Sequence, residues 1–194
     1  MKQAKQLLMI TLILPTLASA KTLTVDSAHS SIMFEATHLK VTKIPGRFLE
    51  FSGTIDLDEK DFTKSKVTFD VNIASITTGV SKRDDHLKTA DFFDAEKFAT
   101  ATFNNALIKK SGKKHIITGD LTIRGTSKKI SFQVQQLGVV KDPMLQTSKH
   151  VFRASGKINR KDFGVSYGPD TIIGDEVTLW INLEAMPTSE PKKQ

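Results

Sequence analysis

The residues able to do acid–base or metal chemistry are few, and they lie in two places. Arg83-Asp84-Asp85-His86 sets a carboxylate beside an imidazole, a pairing suited to proton transfer. His29 and His38, with Asp26, add donor atoms that a metal would accept if they converged with His86. Neither set has the spacing such chemistry uses. There is no Gly-x-Ser-x-Gly to supply a nucleophile on a strand-to-helix turn. There is no His-x-x-x-His or His-Glu-x-x-His. Cysteine is absent, so thiol chemistry and thiolate metal sites are excluded. The leading expectation is a chain with no catalytic residue, no metal and no cofactor. Arg83 and Asp84 are expected to pair with each other and fix the local backbone.

The more informative residue type is phenylalanine. There are twelve Phe against one Trp and one Tyr. Phe fills or lines apolar space without an N–H or O–H that needs a partner. Phe34, Phe51, Phe69, Phe103, Phe132 and Phe152 all fall on apolar faces of alternating segments, where they serve a solid core or a cavity wall alike. Phe92 and Phe93 are adjacent in a polar stretch, so a single buried face does not account for both. One of them is expected to close the end of the fold. His38 shares the parity of Phe34.

The elements that must position these residues read as β-strands. Apolar and polar residues alternate with period two, the signature of strands with one buried face. Ile32, Phe34 and Ala36 begin the series. Leu49, Phe51, Ile55 and Leu57 follow, then Val67, Phe69, Val71 and Ile73. Ala101, Phe103 and Leu107 come next, then Ile117, Leu121 and Ile123, then Ile130, Phe132 and Val134. Phe152, Ala154 and Ile158 precede a last strand through Val177, Leu179, Ile181 and Leu183. Arg153 and Lys157 should face solvent, and Arg160 should pair with an Asp. Ser111-Gly112-Lys113-Lys114 and Arg124-Gly125-Thr126-Ser127 read as hairpin connections. Eight amphipathic antiparallel strands predict an all-β domain, either a closed barrel or a sandwich. Ser81–Asp94 breaks the rhythm and reads as a short helical excursion, with Ser81 as its cap and Asp84 in its acidic first turn. Lys141–Ser148, with Pro143, reads as a loop.

The N-terminus reads as a cleavable signal peptide over residues 1–20. Lys2 and Lys5 precede an apolar run from Leu7 to Leu14, then Pro15, then a small-residue site at Ala18-Ser19-Ala20. The run is too short to span a membrane, which takes roughly 20 residues. The expected location is the periplasm. Without this segment the net charge is +5, from 26 basic and 21 acidic residues. That balance suits solubility and protected strand edges, and also transient contact with an anionic membrane surface. No nucleic-acid recognition motif is present, and nucleic acid is not expected as a partner. Residues 21–187 form the domain, and 188–194 read as a polar, disordered tail.

Taken together, these stretches resemble the YceI-like family of exported bacterial proteins over almost the whole mature chain. The resemblance rests on Val25-Asp26-Ser27-Ala28-His29-Ser30-Ser31-Ile32, Gly46-Arg47-Phe48 with Phe51-Ser52-Gly53, and Ser75-Ile76-Thr77-Thr78-Gly79. It continues through Arg83-Asp84-Asp85-His86-Leu87, Asp91-Phe92-Phe93-Asp94, Gly119-Asp120-Leu121-Thr122-Ile123-Arg124-Gly125, Asn159-Arg160-Lys161-Asp162-Phe163-Gly164 and Ile173-Gly174-Asp175. Phe98-Ala99 departs from the family's usual aromatic residue followed by Pro. The resemblance implies an extended, lipocalin-like, eight-stranded antiparallel barrel with a short helical excursion. It also implies a bound polyisoprenoid, quinone-like or other long-chain amphiphilic lipid as ligand. Phe34, His38, Phe48, Phe51, Phe69, His86, Phe92, Phe93, Phe103, Phe132 and Phe152 are the candidate ligand-contacting residues. His86 would then meet a lipid headgroup or a backbone group. The rival reading is an enzyme of the same fold that uses Asp84 and His86, or a His-bound metal, on an amphiphilic substrate. A homodimer is left open.

Overall fold

A computed structural model describes residues 21–188. The expected signal peptide lies outside the described residues, as does the tail beyond Thr188. Thr188 itself donates its N–H to the Thr22 carbonyl at 3.0 Å and extends the sheet.

The chain forms eleven strand segments: β1 Lys21–Val25, β2 Ser31–His38, β3 Thr42–Phe48, β4 Phe51–Leu57, β5 Lys66–Asn72, β6 Ile76–Thr77, β7 Thr100–Ser111, β8 Lys114–Ile123, β9 Thr126–Lys141, β10 Ser148–Asn159 and β11 Ile173–Pro187. Six of them make three bent strands. β1 runs into β2, β3 into β4, and β5 into β6, so the segments add up to eight strands in sequential antiparallel order. β11 closes the ring by pairing with β2 over most of its length and with β1 through Leu23↔Pro187 to Val25↔Ala185. The result is the closed eight-stranded barrel that the alternation and the resemblance imply.

The bends explain what the alternation missed. β1 lies before the first segment recognised from sequence, cut off from β2 by a turn in which Asp26 caps Ala28. β3 contains Pro45 and Gly46, one without an N–H and one without a side chain, so its period is hidden. Leu49, expected to face inward with Phe51, lies in the bend between β3 and β4 and is exposed. Leu107 is also exposed, against expectation. A bulge after Asn104, with Asn105 at φ 52°, shifts the parity so that Ala106 and Ile108 face the interior instead.

The two expected hairpins form. Gly112 has φ 60°, and Arg124 and Gly125 have φ 49° and 71°, backbone twists that suit two-residue turns. The loop expected over Lys141–Ser148 spans residues 142–147, with Lys141 and Ser148 paired as the last residues of the flanking strands. The helical excursion is α1, Ser81–Lys88. Its N-cap is Val80, which has no side chain to bond the first turn, so the expected Ser81 cap is corrected by one residue. The cap is dispensable because Asp84 holds the helix from within. α1 and the turns after it fill the gap between β6 and β7, where β6 is only two residues long and the ring is incomplete.

Candidate ligand cavity and its vestibule

The barrel is hollow. A cavity of about 220 Å³ runs along its interior, and Thr102 and Arg160 are the only polar residues on its wall among those described. Its floor is Phe62, stacked on Phe152 with ring centroids 6.0 Å apart. Phe69, Phe103 and Phe132 form the middle, the last two edge-to-face at 5.7 Å. Phe34, Phe48 and Phe93 form a contiguous chain at the upper end, at 5.7 Å and 6.3 Å.

Glycines keep the lumen open. Phe34 lies opposite Gly46 across β2 and β3, and Phe69 lies opposite Gly53 across β4 and β5. Phe103 covers Gly119, and Phe132 covers Gly156. A Cβ at Gly53 or at Gly119 would stand 2.6 Å from the facing ring. Each ring therefore lies flat against the wall, in the space a side chain would have taken. Aromatic cover of a strand glycine also restores packing to a backbone that glycine leaves bare.

A second cavity, about 300 Å³, sits beside the upper end. It lies between the β2–β3 hairpin, α1 and the segment before β11. Phe34, Ala36, Leu87, Phe92 and Ile173 line both cavities and form the partition between them. The outer walls add polar groups, among them His38, Thr78, Arg83, His86 and Tyr167. An apolar chamber thus adjoins a mixed polar and aromatic vestibule.

The vestibule is built by side chains that bond backbone. Asp84 accepts from Thr77 Oγ1 at 2.9 Å, from the Thr78 N–H at 2.7 Å and from Thr78 Oγ1 at 2.5 Å. Burial opposes ionisation of Asp84, but these hydrogen bonds outweigh it and hold the carboxyl below its ordinary range. Arg83 donates from Nε to Thr78 Oγ1 at 2.7 Å and from Nη2 to the Thr78 carbonyl at 3.1 Å. The expected Arg83–Asp84 pair is therefore replaced by a relay in which both grip Thr78. His86 Nε2 bonds Asp91 at 2.8 Å, and its ring meets Phe92 and Tyr167 edge-on at 5.0 Å each.

Arg160 fixes the opposite wall. It is buried and donates to five carbonyls, those of Val165, Tyr167, Gly168, Ile173 and Gly174, at 2.8–3.2 Å. Its sixth partner is Asp175 at 3.1 Å, the Asp pairing expected from sequence. Burial lowers the Arg160 pKa and Asp175 opposes that fall.

Of the eleven candidate contact residues, Phe48, Phe69, Phe93, Phe103, Phe132 and Phe152 line the apolar chamber. Phe34 and Phe92 line both spaces, and His38 and His86 line the vestibule. Phe51 is the exception: it packs against the core from the start of β4 and lines neither space. Reasoning from sequence missed the four glycines and Tyr167, the single tyrosine, which sits in a stretch with no strand period.

The residues considered for metal binding do not converge. His29 bonds Asp26 at 2.8 Å in the β1–β2 bend, whereas His38, at the far end of the eight-residue β2, and His86 line the vestibule. Asp26, His29 and Glu184 do bring three donor atoms together. The Lys149 ammonium stands among them, 3.0 Å from both carboxylates and 3.4 Å from Asp142. Hydrogen bonds to Glu184 and Asp26 raise its pKa against the effect of burial.

Comparison with known proteins agrees with this architecture. The model of the YceI-like domain matches residues 23–185. Protein YceI of Escherichia coli O157:H7 is 35% identical over 163 residues, covering 83% of each chain. Among solved structures, the Campylobacter jejuni YCEI protein is 33% identical with a TM-score of 0.68, covering 84% of this chain and 96% of its own. BcnA of Burkholderia cenocepacia has a TM-score of 0.73 at 26% identity, over 82% and 98%. A polyisoprenoid binding domain from Saccharophagus degradans shares the fold at 16% identity and TM-score 0.65, over 87% and 99%.

Proposed function

This chain belongs to the YceI-like family, and on that premise we propose that it binds a long-chain amphiphilic lipid, a polyisoprenoid or quinone-like molecule, inside the barrel. The reading is carried by one observation: an apolar chamber kept hollow by rings lying on glycines. A solid core of the same composition would need no such pairing. The tail takes the chamber and the polar end takes the vestibule. Burial of about 500 Å² of tail yields on the order of 12 kcal/mol at ~25 cal/mol per Å², from which association and ordering costs are subtracted. The name of the Saccharophagus degradans domain, which binds polyisoprenoid, supports the ligand class.

The same reading makes the protein a periplasmic carrier or store, exported by residues 1–20 and in transient contact with membrane surfaces. It requires no catalytic residue, since apolar contact holds the ligand. The test is mass analysis of protein purified from its own host. A co-purifying long-chain lipid, on a chain lacking residues 1–20, is the expected result. Repeated preparations with no lipid would sink the proposal. His86→Ala should retain the lipid; loss of turnover on an amphiphilic substrate with the lipid retained would favour an enzyme instead.

A further inference from the structure

The apolar surface does not stop at the vestibule. The β2–β3 turn carries Leu39 and Val41, 56% and 80% exposed, and the segment before β11 carries Tyr167 and Ile172, 47% and 45% exposed. The two segments are one surface: the Leu39 N–H donates to the Ile172 carbonyl at 2.9 Å, and Lys40 pairs with Asp170. Ile172 and Tyr167 also line the vestibule, so this rim is continuous with the partition and the chamber behind it.

We propose that this rim is the surface through which the barrel docks on a phospholipid bilayer to exchange its ligand. The inference rests on the reading of the interior as a lipid site. A lipid that needs a barrel has negligible solubility in water, so the opening it uses must touch a bilayer. Leu39-Lys40-Val41-Thr42-Lys43 sets two apolar side chains, Leu39 and Val41, among two cationic ones, Lys40 and Lys43. That arrangement lets apolar groups enter the acyl boundary while the exposed Lys40 and Lys43 ammonium groups exchange their carboxylate partners, Asp170 and Glu35, for phosphates. Tyr167 has the amphipathic ring favoured at such boundaries. The backbone supports the same conclusion. Leu39 and Lys40 both sit at positive φ, 50° and 61°, where Asn or Gly would be less strained. A bulky apolar residue held there, in water, is strain with no structural return.

A second exposed apolar group lies at the opposite end of the barrel, on the β9–β10 hairpin: Val139, Val140, Met144 and Leu145. The packed floor at Phe62 and Phe152 separates it from the chamber. It is the internal control.

The experiment is flotation of residues 21–194 with vesicles of phosphatidylethanolamine and phosphatidylglycerol. Leu39→Asn with Val41→Ser should weaken vesicle binding at least ten-fold, and the protein should melt no lower than wild type because Asn suits positive φ. Met144→Ser with Leu145→Ser should leave binding unchanged. Undiminished binding by the rim variant, or loss of binding by the hairpin variant, overturns the proposal. Mass analysis of the same rim variant separates this outcome from the reading of the interior. A variant that keeps its lipid but no longer floats supports docking at the rim. A wild type that floats yet never holds lipid removes the interior reading and leaves the rim as a membrane-binding face alone.

Discussion

The two ends of the barrel are held by different kinds of bond. At the floor, β1 sits between β4 and β11, and ladder hydrogen bonds close the ring. Leu23 and Ala185 are fully buried there beside Ile55, Leu57 and Leu183. At the mouth the ladder gives out at the two-residue β6. Three side chains take its place: Arg160, Asp84, and Arg124, which donates to the carbonyls of Ala90 and Gly164. Irregular backbone leaves polar groups that a sheet would have paired, and each needs a partner once buried. The closed end is therefore stabilised by packing, and the open end by a few charged side chains: two arginines that serve many carbonyls and one carboxylate that holds the Thr77–Thr78 turn. A mouth built this way can be wide without being loose.

The sharpest way to break this contrast is Arg160→Met. It leaves five carbonyls without their donor and Asp175 with only one of its two cations, the Lys161 ammonium at 3.0 Å. A loss on the order of 3–5 kcal/mol is expected, read from denaturant unfolding. Arg160→Lys should recover only part, because one ammonium cannot reach six acceptors. If Arg160→Met unfolds like wild type, the mouth is not held by side-chain donors.

Phe62→Ala probes the floor. Truncating a buried Phe costs about 3–5 kcal/mol. The low end is expected here, since the ring already faces a hollow. The chamber deepens, so the lipid load found by mass analysis should be kept. A lost load would mean that the floor also grips the ligand.

Gly53→Ala tests the hollow between the ends. The new methyl displaces the Phe69 ring into the lumen. Overpacking of about 1–3 kcal/mol is expected, together with a reduced lipid load. An unchanged load would show that the rings on glycine do not set the chamber's capacity.

The smallest effect is one of pH, and it belongs to the floor. His150 is buried with its Nε2 unbonded. Burial lowers its pKa below 6.5, nearby Lys21 lowers it further, and Glu59 opposes both. The unfolded chain therefore takes up a proton first. Stability is complete above pH 6.5 and falls as pH drops through the folded pKa. His150→Leu should flatten thermal stability between pH 6.5 and the onset of carboxylate titration. If the slope there survives the substitution, His150 is not its source.

Much of the fold was legible because period-two alternation is local. The strand faces bearing Phe69, Phe103, Phe132 and Phe152 follow from neighbours two residues away. Legibility failed at Leu49 and Leu107, where a bend and a bulge reset the parity. Neither leaves a mark in hydropathy. The helix at Ser81–Lys88 was visible as a break in rhythm, but the task of Asp84 was not. Its partners Thr77 and Thr78 bond it through a turn whose shape depends on the missing stretch of ladder.

The sequence by itself determined eight amphipathic strands, an interior rich in Phe, and a chain without Cys. It could not decide whether that interior is solid or hollow. Phe69 fills the lumen or leaves it open according to what stands across from it on β4. That neighbour is Gly53, sixteen residues away and brought opposite by register alone. Alternation fixes which way a side chain points. Only the pairing of strands fixes what it points past, and here it sets rings over glycines and leaves a chamber between them.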